Sequence, residues 1–547
     1  MNQFRPINPF STLICLGLIG LIGASFGCRT LPSDKVAQPY VGEEALVEDP
    51  RIPPPDPNAA EVPAGYRVEV VASGLTYPSS VEFDDQGTMY VAEAGYVYGD
   101  EAAPARVMRV DNLGRIEVVA DQLNGPITDL LWYDGRLYIS HRGKVSVLIG
   151  GELRDIVTGL PSHGDFHNNQ LTVGPEGKLY LGQGSASNSG VVGVDNYTYG
   201  WLAKHPELHD VSPRPIELRA EARFTSLNPL KLSRSDEKLM AYTGPFQAFG
   251  HAGATQIGGA TKANGTILRF NPDGSDLEVY AWGFRNPFGV WGLDGILYAT
   301  DNGYDERGSR PIANAPDVIW QVKKGAWYGF PDFAGGIPVT DPRFKPAHGP
   351  APEFLLKWHP RTLDHPLTML PPHAGVTKID FSRDNRFGFE GHLFVGEVGD
   401  MQPMTGHGQR PAGYQVVRVD PMTGETSWFF RARAETLGGP SMEYVITPGP
   451  KRPVDVRFSR EGDALYVADL GAIMVCPSVR PTPHPFPGSG VIWRISRDTR
   501  QLQFPIGISF IPGKVNEGAG GTANAVTRQT GAGAGGPATN PGKALSK

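Results

Sequence analysis

The segment VEFDDQGTMYVAEAG (81–95) contains two short apolar runs that are separated by a Q-G turn and followed by a Gly. Gly adopts the positive φ that tight hairpin turns require, so the segment predicts a β-hairpin. The pattern returns as LLWYDGRLYISHRG (130–143), LTVGPEGKLYLGQG (171–184), VWGLDGILYATDNG (290–303), IDFSRDNRFGFEGHLFVGEVG (379–399) and VRFSREGDALYVADLG (456–471). Six similar hairpins in one chain indicate a repeat architecture.

Each hairpin is followed by a second β-rich segment that would complete a sheet. These segments are RVMRV (106–110), KVSVLI (144–149), TILRF (266–270), VIWQV (318–322), GYQVVRV (413–419) and GVIWRI (490–495). Six four-stranded antiparallel units predict an all-β, six-bladed β-propeller, in which each sheet buries both faces against its neighbours. Long insertions at about 185–255, 304–375 and 400–450 are predicted to gather on one face. Two separate β-domains are the alternative.

The composition supports many short strands and argues against some partners. The chain has 547 residues, with 69 Gly and 50 Pro spread along most of its length, and such frequent turn residues favour strands over long helices. Its formal net charge is −7, without a long basic run. Nucleic acid is therefore not expected as a partner, because phosphate binding needs clustered positive charge.

The N-terminus has the pattern of an export signal. An apolar run, LICLGLIGLIGASFG (13–27), follows Arg5 and ends at Cys28. The small residue before Cys28 predicts a lipoprotein cleavage site, with Cys28 as the lipidated N-terminus; plain secretion and a retained anchor are the alternatives. We expect an exported, periplasmic or cell-envelope lipoprotein that meets the membrane only through this lipid anchor.

The remaining chain divides by composition. Residues 29–62 are rich in Pro, Asp and Glu and predict a flexible tether, while 63–512 would form the propeller. Residues 513–547 are dominated by Gly, Ala, Thr and Asn and predict a disordered tail. The three cysteines are Cys15, Cys28 and Cys476, and there is no C-x-x-C-H haem motif. Any redox cofactor would be held non-covalently, and electrons would leave to an external acceptor.

The segment NGTILRFNPDGSDLEVYAWGFRNPFGVWGLDGILYATDNGYDER (264–307) carries three motifs: G-x-I-L-R-x-N-P-D-G, Y-A-x-G-x-R-N-P and T-D-N-G. In these motifs the chain resembles the soluble PQQ-dependent sugar dehydrogenase family, which includes glucose and sorbosone dehydrogenases. Further similar segments are NQLTVGPEGKLYLGQGSASNSG (169–190), PDVIWQVKKGAWYGFP (316–331), PAGYQVVRV (411–419) and RPVDVRFSREGDALYVADLG (452–471). The resemblance implies a quinoprotein that uses PQQ and Ca²⁺ to oxidise a sugar or polyol.

The resemblance also implies cofactor-binding residues. PQQ is a planar quinone with three carboxylates, so Arg285 suits it as a bidentate, permanently charged donor. Asn286 can donate to a quinone oxygen, and Asn302 and Arg410 are further candidates. The alternatives are a surface ion pair for Arg285, a turn at Asn286 and simple solvation of Arg410.

In the family, a Gly-Pro pair after a strand supplies carbonyl oxygens to a calcium ion, which prefers oxygen ligands. Gly303 and Tyr304 occupy those positions here, with Tyr in place of Pro, and Asp305 follows. The resemblance implies that these residues are the metal site. An ordinary Asx-type turn is the alternative.

Sugar oxidation needs a base that takes the hydroxyl proton, and a histidine is well suited. The family places one shortly before the G-P-x-G turn, where this chain has His163 and His167. His167 is the candidate base, although it stands one residue closer to Gly174 than the family spacing. Because a one-residue slip in a strand reverses the side chain's facing, Phe166 could occupy the base's place instead.

Two other functions stay open. The propeller could be a non-catalytic binding module that lost its base. It could also be a calcium-dependent hydrolase of the lactonase type, with Glu93, Asn188, Asn302 and Asp469 as candidate ligands in the central channel. No G-x-S-x-G, Walker, H-E-x-x-H or dinucleotide fingerprint is present in the sequence.

Overall fold

The computed structural model describes residues 51–95, 103–111, 115–231, 239–360, 365–406, 411–437, 446–476 and 482–498. Two short helices, α1 (Val194–Thr198) and α2 (Trp201–Lys204), interrupt a structure of strands and loops. Three 3₁₀ turns are found at Pro57–Ala59, Pro342–Phe344 and Ala434–Thr436. Within these ranges, no helix has the length and apolar character needed to cross a bilayer.

Six antiparallel sheets, which we call blades 1 to 6, contain most of the strands. Blade 1 has Pro78–Phe83, Met89–Glu93, Arg106–Val110 and Ile116–Ala120; blade 2 has Ile127–Tyr133, Arg136–His141, Lys144–Ile149 and Glu152–Val157. Blade 3 has Asn168–Val173, Leu179–Gln183, Thr266–Phe270 and Glu278–Trp282; blade 4 has Val290–Leu293, Ile296–Asp301, Pro316–Val322 and Thr368–Pro372. Blade 5 has Val376–Phe381, Leu393–Glu397, Gln415–Val419 and Thr426–Ala432; blade 6 has Pro453–Phe458, Ala464–Asp469, Gly490–Arg497 and Tyr66–Leu75.

The blades are arranged in a closed ring. The first-named strand of each blade contacts the first-named strands of both neighbouring blades, and blade 6 meets blade 1. In blade 6 the strand Tyr66–Leu75 pairs with Gly490–Arg497, so one sheet joins the two ends of the described chain. Opening the ring would break this ladder of hydrogen bonds. The predicted six-bladed β-propeller is confirmed.

The hairpin turns have the geometry that their sequences predict. At Asp134–Gly135 the two φ angles are 52° and 69°, and at Asp294–Gly295 they are 50° and 79°. Two consecutive positive φ angles are the mark of the type I′ turn, whose twist matches the twist of paired strands. These D-G signals therefore set the register of blades 2 and 4.

The three predicted insertions gather at one end of the ring, as predicted. Ser189 donates to the Arg310 carbonyl at 2.6 Å, which joins the first insertion to the second. Glu306 N donates to the Thr405 carbonyl at 2.9 Å, which joins the second to the third. Four two-stranded ribbons lie outside the blades, and these are Ile216–Glu217 with Gln256–Ile257, Phe224–Leu227 with Met240–Thr243, Phe333–Ala334 with Ile337–Pro338, and Ile473–Cys476 with Thr482–Pro485.

The N-terminal part of the described chain packs on blade 5. Ala60–Glu61 forms a fifth strand there, paired with Arg431 and Ala432, and Ala60 is buried. Residues 51–62 of the predicted tether therefore contact the propeller. The signal peptide with Cys28, residues 29–50 and the C-terminal tail lie outside the described residues.

Charged side chains meet in the central channel. Lys378 Nζ, on the first strand of blade 5, lies 2.9 Å from Asp129 Oδ1 of blade 2 and 3.2 Å from Asp455 Oδ2 of blade 6. All three side chains are completely buried. Arg457 lies beside them, 3.6 Å from Asp129. The channel is thus filled by ion pairs that connect three blades.

Candidate active site

Arg285 and Asn286 lie in the loop that connects blade 3 to the first strand of blade 4. Both backbone N–H groups donate to one oxygen, Asp301 Oδ1, at 3.0 and 2.8 Å. Asp301 ends the second strand of blade 4, and burial raises its pKa to about 7. The loop is therefore fastened to the end of the strand that follows it.

A second couple in blade 6 repeats this arrangement. The N–H groups of Lys451 and Arg452 donate to the two carboxylate oxygens of Asp469, at 2.8 and 2.7 Å. Asp469 also ends the second strand of its blade, and a proline follows each couple. Equivalent loops lie at the same end of a propeller. We call this end, marked by the couples Arg285–Asn286 and Lys451–Arg452, the mouth.

The Arg285 guanidinium is buried and is held through its Nε and Nη2 atoms. Its Nε donates to the Asn188 carbonyl at 2.9 Å, and its Nη2 lies 2.8 Å from Asp305 Oδ2. The residue is 4% exposed, and its guanidinium lies 4.6 Å from the centre of the Phe166 ring. This is a buried ion pair rather than the surface pair that the sequence left open.

Three asparagine amides form a chain across the mouth. Asn169 Nδ2 donates to Asn286 Oδ1 at 2.8 Å, and Asn286 Nδ2 donates to Asn302 Oδ1 at 2.7 Å. Asn302 Nδ2 in turn donates to the Val376 carbonyl at 2.9 Å. The structure thus brings together Arg285, Asn286 and Asn302, which the sequence grouped by resemblance.

The turn 303–305 lies against the same couple. Gly303 N donates to Asp317 Oδ1 at 2.8 Å, and a Cβ at Gly303 would lie 2.3 Å from the Ala315 carbonyl oxygen, so only glycine fits. The ring of Tyr304 is buried 5.9 Å from the Arg285 guanidinium. The three predicted metal residues therefore stand together at the mouth.

Asp305 is the centre of the cluster. Its Oδ2 lies 2.8 Å from Arg285 Nη2 and 2.9 Å from Arg307 Nη2, and its Oδ1 lies 3.4 Å from His373 Nδ1. Burial alone would raise the pKa of Asp305, but the two guanidiniums hold it well below its usual range. Asp305 therefore stays ionised.

His373 was not predicted from the sequence. It lies just before the first strand of blade 5, and its φ of 62° is in the left-handed region. Its side chain is 7% exposed. Burial disfavours the imidazolium, yet contact with Asp305 outweighs burial and raises the His373 pKa above its ordinary value. Residues in strained backbone conformations cluster at functional sites, which makes His373 a candidate base.

Arg307 extends the cluster toward the first insertion. Its Nη2 lies 2.8 Å from Asp165 Oδ2, and its Nη1 lies 2.6 Å from Asp195 Oδ2. Burial raises the pKa of Asp165 to about 6, although Arg307 opposes that shift. The guanidinium of Arg307 is thus shared among the carboxylates of Asp165, Asp195 and Asp305.

His167 lies beside this cluster but faces differently from Phe166. Its Nδ1 is 3.0 Å from the Ser162 carbonyl, and its ring centre is 6.0 Å from that of Trp201. Burial lowers the pKa of His167 to about 3. His163 stacks on His205 with ring centres 3.8 Å apart. His167 as base stays a prediction, and the ring of this loop that contacts Arg285 belongs to Phe166.

The residues that the sequence offered as ligands of a calcium ion in the central channel bind different partners in the structure. Glu93 accepts from Thr76 N at 2.6 Å and pairs with Arg106, while Asp469 binds the Lys451–Arg452 couple. Asn188 and Asn302 belong to the mouth. In the described part of the chain, no group of three or more His, Cys, Asp or Glu side chains could hold a metal ion. Arg410 lies outside the described residues.

Comparisons with known proteins were made for the whole chain and for its fold. No protein-family model and no curated protein matches the sequence. Solved structures with a similar fold include sugar dehydrogenases and gluconolactonases.

Three of these structures illustrate the range. The PQQ domain of a pyranose dehydrogenase from Coprinopsis cinerea, in holo form, has 18% identity and a TM-score of 0.49, over 82% of this chain and 98% of that one. The PQQ-bound aldose sugar dehydrogenase from Streptomyces coelicolor has 16% identity and a TM-score of 0.44, over 80% and 100%. A gluconolactonase from Xanthomonas campestris has 11% identity and a TM-score of 0.39, over 82% and 98%. At such identities we take the function from the site itself.

Glu397 differs from Asp301 and Asp469, which end the second strands of their blades and accept hydrogen bonds from the preceding loop. It ends the second strand of blade 5, as Asp301 does in blade 4, but Gly375 N and Val376 N donate to Asp317 instead. Glu397 Oε2 accepts from Gln415 at 2.8 Å, while Oε1 has no partner among the described residues. Burial raises the pKa of Glu397 to about 8. The folded protein therefore keeps this carboxyl protonated at neutral pH.

Glu397→Gln is expected to stabilise the protein at alkaline pH. The folded pKa, about 8, lies above the unfolded value of 4.5, so the wild type loses stability as pH rises between them, whereas glutamine cannot ionise. At pH 8 the variant should be about 4 kcal/mol more stable, and near pH 4 the two should agree. Urea unfolding at both pH values measures this difference. If the variant and the wild type differ in stability by the same amount at both pH values, Glu397 does not titrate between pH 4 and pH 8.

Proposed function

We propose that this protein is an oxidoreductase that uses PQQ at the mouth to oxidise a sugar or polyol and passes the electrons to an external acceptor. The observation that carries the proposal is that two separate segments of the chain meet the carboxylate of the turn 303–305. Arg285 and His373 both meet Asp305. Perturbed acid–base groups gathered at the insertion end of a propeller are typical of an active site.

The residues at the mouth fit the chemistry of PQQ. The amide chain through Asn286 and the guanidinium of Arg285 supply donors of the kind that quinone oxygens accept. Arg452 supplies a further cation, since it is 4% exposed and its Nη1 donates to the carbonyls of Val398 and Gly399 at 2.9 and 3.2 Å. Carbonyls do not neutralise its charge, which leaves it suited to a cofactor carboxylate. When bound, PQQ would supply the two-electron acceptor that side chains cannot.

The residues do not fit calcium equally well. Asp305, the carboxylate beside the backbone of Gly303 and Tyr304, is already bound by Arg285, Arg307 and His373. A divalent cation there would meet two fixed positive charges. Backbone carbonyls alone would have to hold it, so we derive no step through calcium.

The chain's own residues account for the proton. Asp305 is held by two guanidiniums and faces His373 Nδ1, which orients the imidazole and favours its protonated form. His373 would take the substrate hydroxyl proton as the substrate is oxidised, and Asp305 would stabilise the resulting imidazolium. His373 is thus the alternative to His167, whose role as base stays a prediction from the resemblance.

Titration of the protein with PQQ, followed by an aldose panel and a redox dye, tests the proposal. We expect a saturable change in the PQQ spectrum and dye reduction with some aldoses. Arg285→Ala should weaken PQQ binding by roughly 10- to 100-fold, since a charge-assisted hydrogen bond contributes about 1.5–3 kcal/mol.

The control is Arg343→Ala, which removes a half-exposed arginine paired with Asp341. It should leave PQQ affinity unchanged, with and without added calcium. PQQ binding without turnover would favour the non-catalytic binding module. No spectral change in the wild type would remove the quinone function.

A further inference from the structure

Lys451 is a buried cation, and few neighbouring groups offset the positive charge of its ammonium group. The residue is 1% exposed, and its Nζ donates to the Gly449 carbonyl at a long distance, 3.5 Å. The nearby carboxylate of Asp469 is occupied by the N–H groups of Lys451, Arg452 and Gly471 and by the Trp493 indole. Among the described residues, the hydrogen-bond acceptor of Lys451 Nζ is the Gly449 carbonyl, which carries no formal charge.

A cleft of about 260 Å³ lies beside this lysine. One wall is the segment Ile52–Pro55, which precedes the fifth strand of blade 5, and the other is the loop 487–491. Lys451 is the cation among its lining residues, while Ile52 and three prolines give it an aliphatic wall. The cleft is lined by different residues from the Asp305 cluster.

A buried ammonium without a counter-ion is costly, because transfer out of water must be offset by a charged partner. Burial lowers the pKa of Lys451, against the opposing effect of Asp469. We propose that the cleft binds a small organic carboxylate, with Lys451 as the counter-ion of the carboxylate and the Ile52–Pro55 wall in contact with its aliphatic part. This binding site does not depend on the proposed oxidoreductase function.

Calorimetric titration of the full chain with butyrate tests the proposal, with inorganic phosphate as the second probe. We expect saturable butyrate binding, and a loss of at least about 10-fold in Lys451→Met, which removes a charge-assisted hydrogen bond. Phosphate should bind more weakly, since it cannot use the aliphatic wall.

Pro54→Glu gives a second variant that leaves the lysine in place. It adds a negative charge at an exposed position of the cleft wall and should reduce butyrate affinity to a similar degree. Lys144→Met, at a lysine of blade 2 that is about one-third exposed, is the control and should bind as the wild type does. No saturable butyrate binding, unchanged affinity in both cleft variants, or tighter binding of phosphate would each overturn the proposal.

Discussion

The variant His373→Gln is expected to lower the turnover number for dye reduction by about 10²–10⁴-fold, the usual contribution of a positioned acid–base group. Glutamine keeps hydrogen-bonding capacity near Asp305 but cannot take a proton. Because His373 is placed by Asp305 rather than by the PQQ donors, PQQ affinity should change much less than turnover. Steady-state kinetics and PQQ titration on the same preparation separate the two effects.

The pH dependence of the turnover number is a second test of His373 as the base. Contact with Asp305 raises the His373 pKa above 6.5, so the base form, and with it the rate, should grow as pH rises through a value above 6.5. The paired imidazolium stabilises the fold below pH 6.5, and this contribution is lost as pH rises through the raised pKa. His392→Gln, in the hairpin turn of blade 5, should keep the wild-type rate and profile. A larger loss in His167→Gln than in His373→Gln would return the base to His167.

The fold could be predicted because its signals are local. A turn such as Asp294–Gly295 needs only its own two residues to adopt positive φ, and the apolar alternation on either side decides which face is buried. Six repetitions then exclude most other architectures. The packing of Ala60 on blade 5 was not predictable, since a Pro-rich, acidic composition is typical of linkers and gives no sign of a distant strand edge.

The site could be predicted only where its residues are close in the sequence. Arg285, Asn286 and the turn 303–305 flank one hairpin, whose paired strands keep them together. The position of His373 was missed because it lies about 70 residues further on, and its approach to Asp305 depends on how blades 4 and 5 pack. One signal was available: His373 lies in the loop before the first strand of its blade, as Arg285 and Arg452 do in theirs.

The His167 prediction shows the limit of spacing arguments. A shift of one residue in a loop changes which neighbours a side chain meets; here the Phe166 ring contacts the Arg285 guanidinium, and the role of His167 as base stays a prediction. Likewise, the contacts of the Arg285 side chain could not be predicted from the sequence, because its partner Asn188 belongs to the first insertion. Loop contacts of this kind depend on tertiary structure rather than on a local pattern.

The variant Lys378→Met, in the central channel, is expected to lower the free energy of unfolding by about 3–5 kcal/mol. Methionine fills a similar volume but leaves Asp129 and Asp455 buried without their ammonium partner. Burial already raises the pKa of Asp129, with Lys378 as the largest opposing influence, so the loss of stability should grow as pH rises and Asp129 ionises. Urea unfolding at pH 5 and pH 8 measures both the loss and its trend.

Lys144→Met is the matched control, because Lys144 forms an equally short pair with Asp155, at 2.7 Å, but both side chains are about one-third exposed. Such pairs contribute about 0–1 kcal/mol, so the two lysine variants should differ severalfold in their effect. Adding Asp129→Asn and Asp455→Asn to Lys378→Met should recover part of the loss, because it removes the unpaired charges rather than the packing. If the triple variant is no more stable than Lys378→Met alone, the lysine acts mainly by filling the channel. The ion pairs would then not be what holds blades 2, 5 and 6 together at the axis.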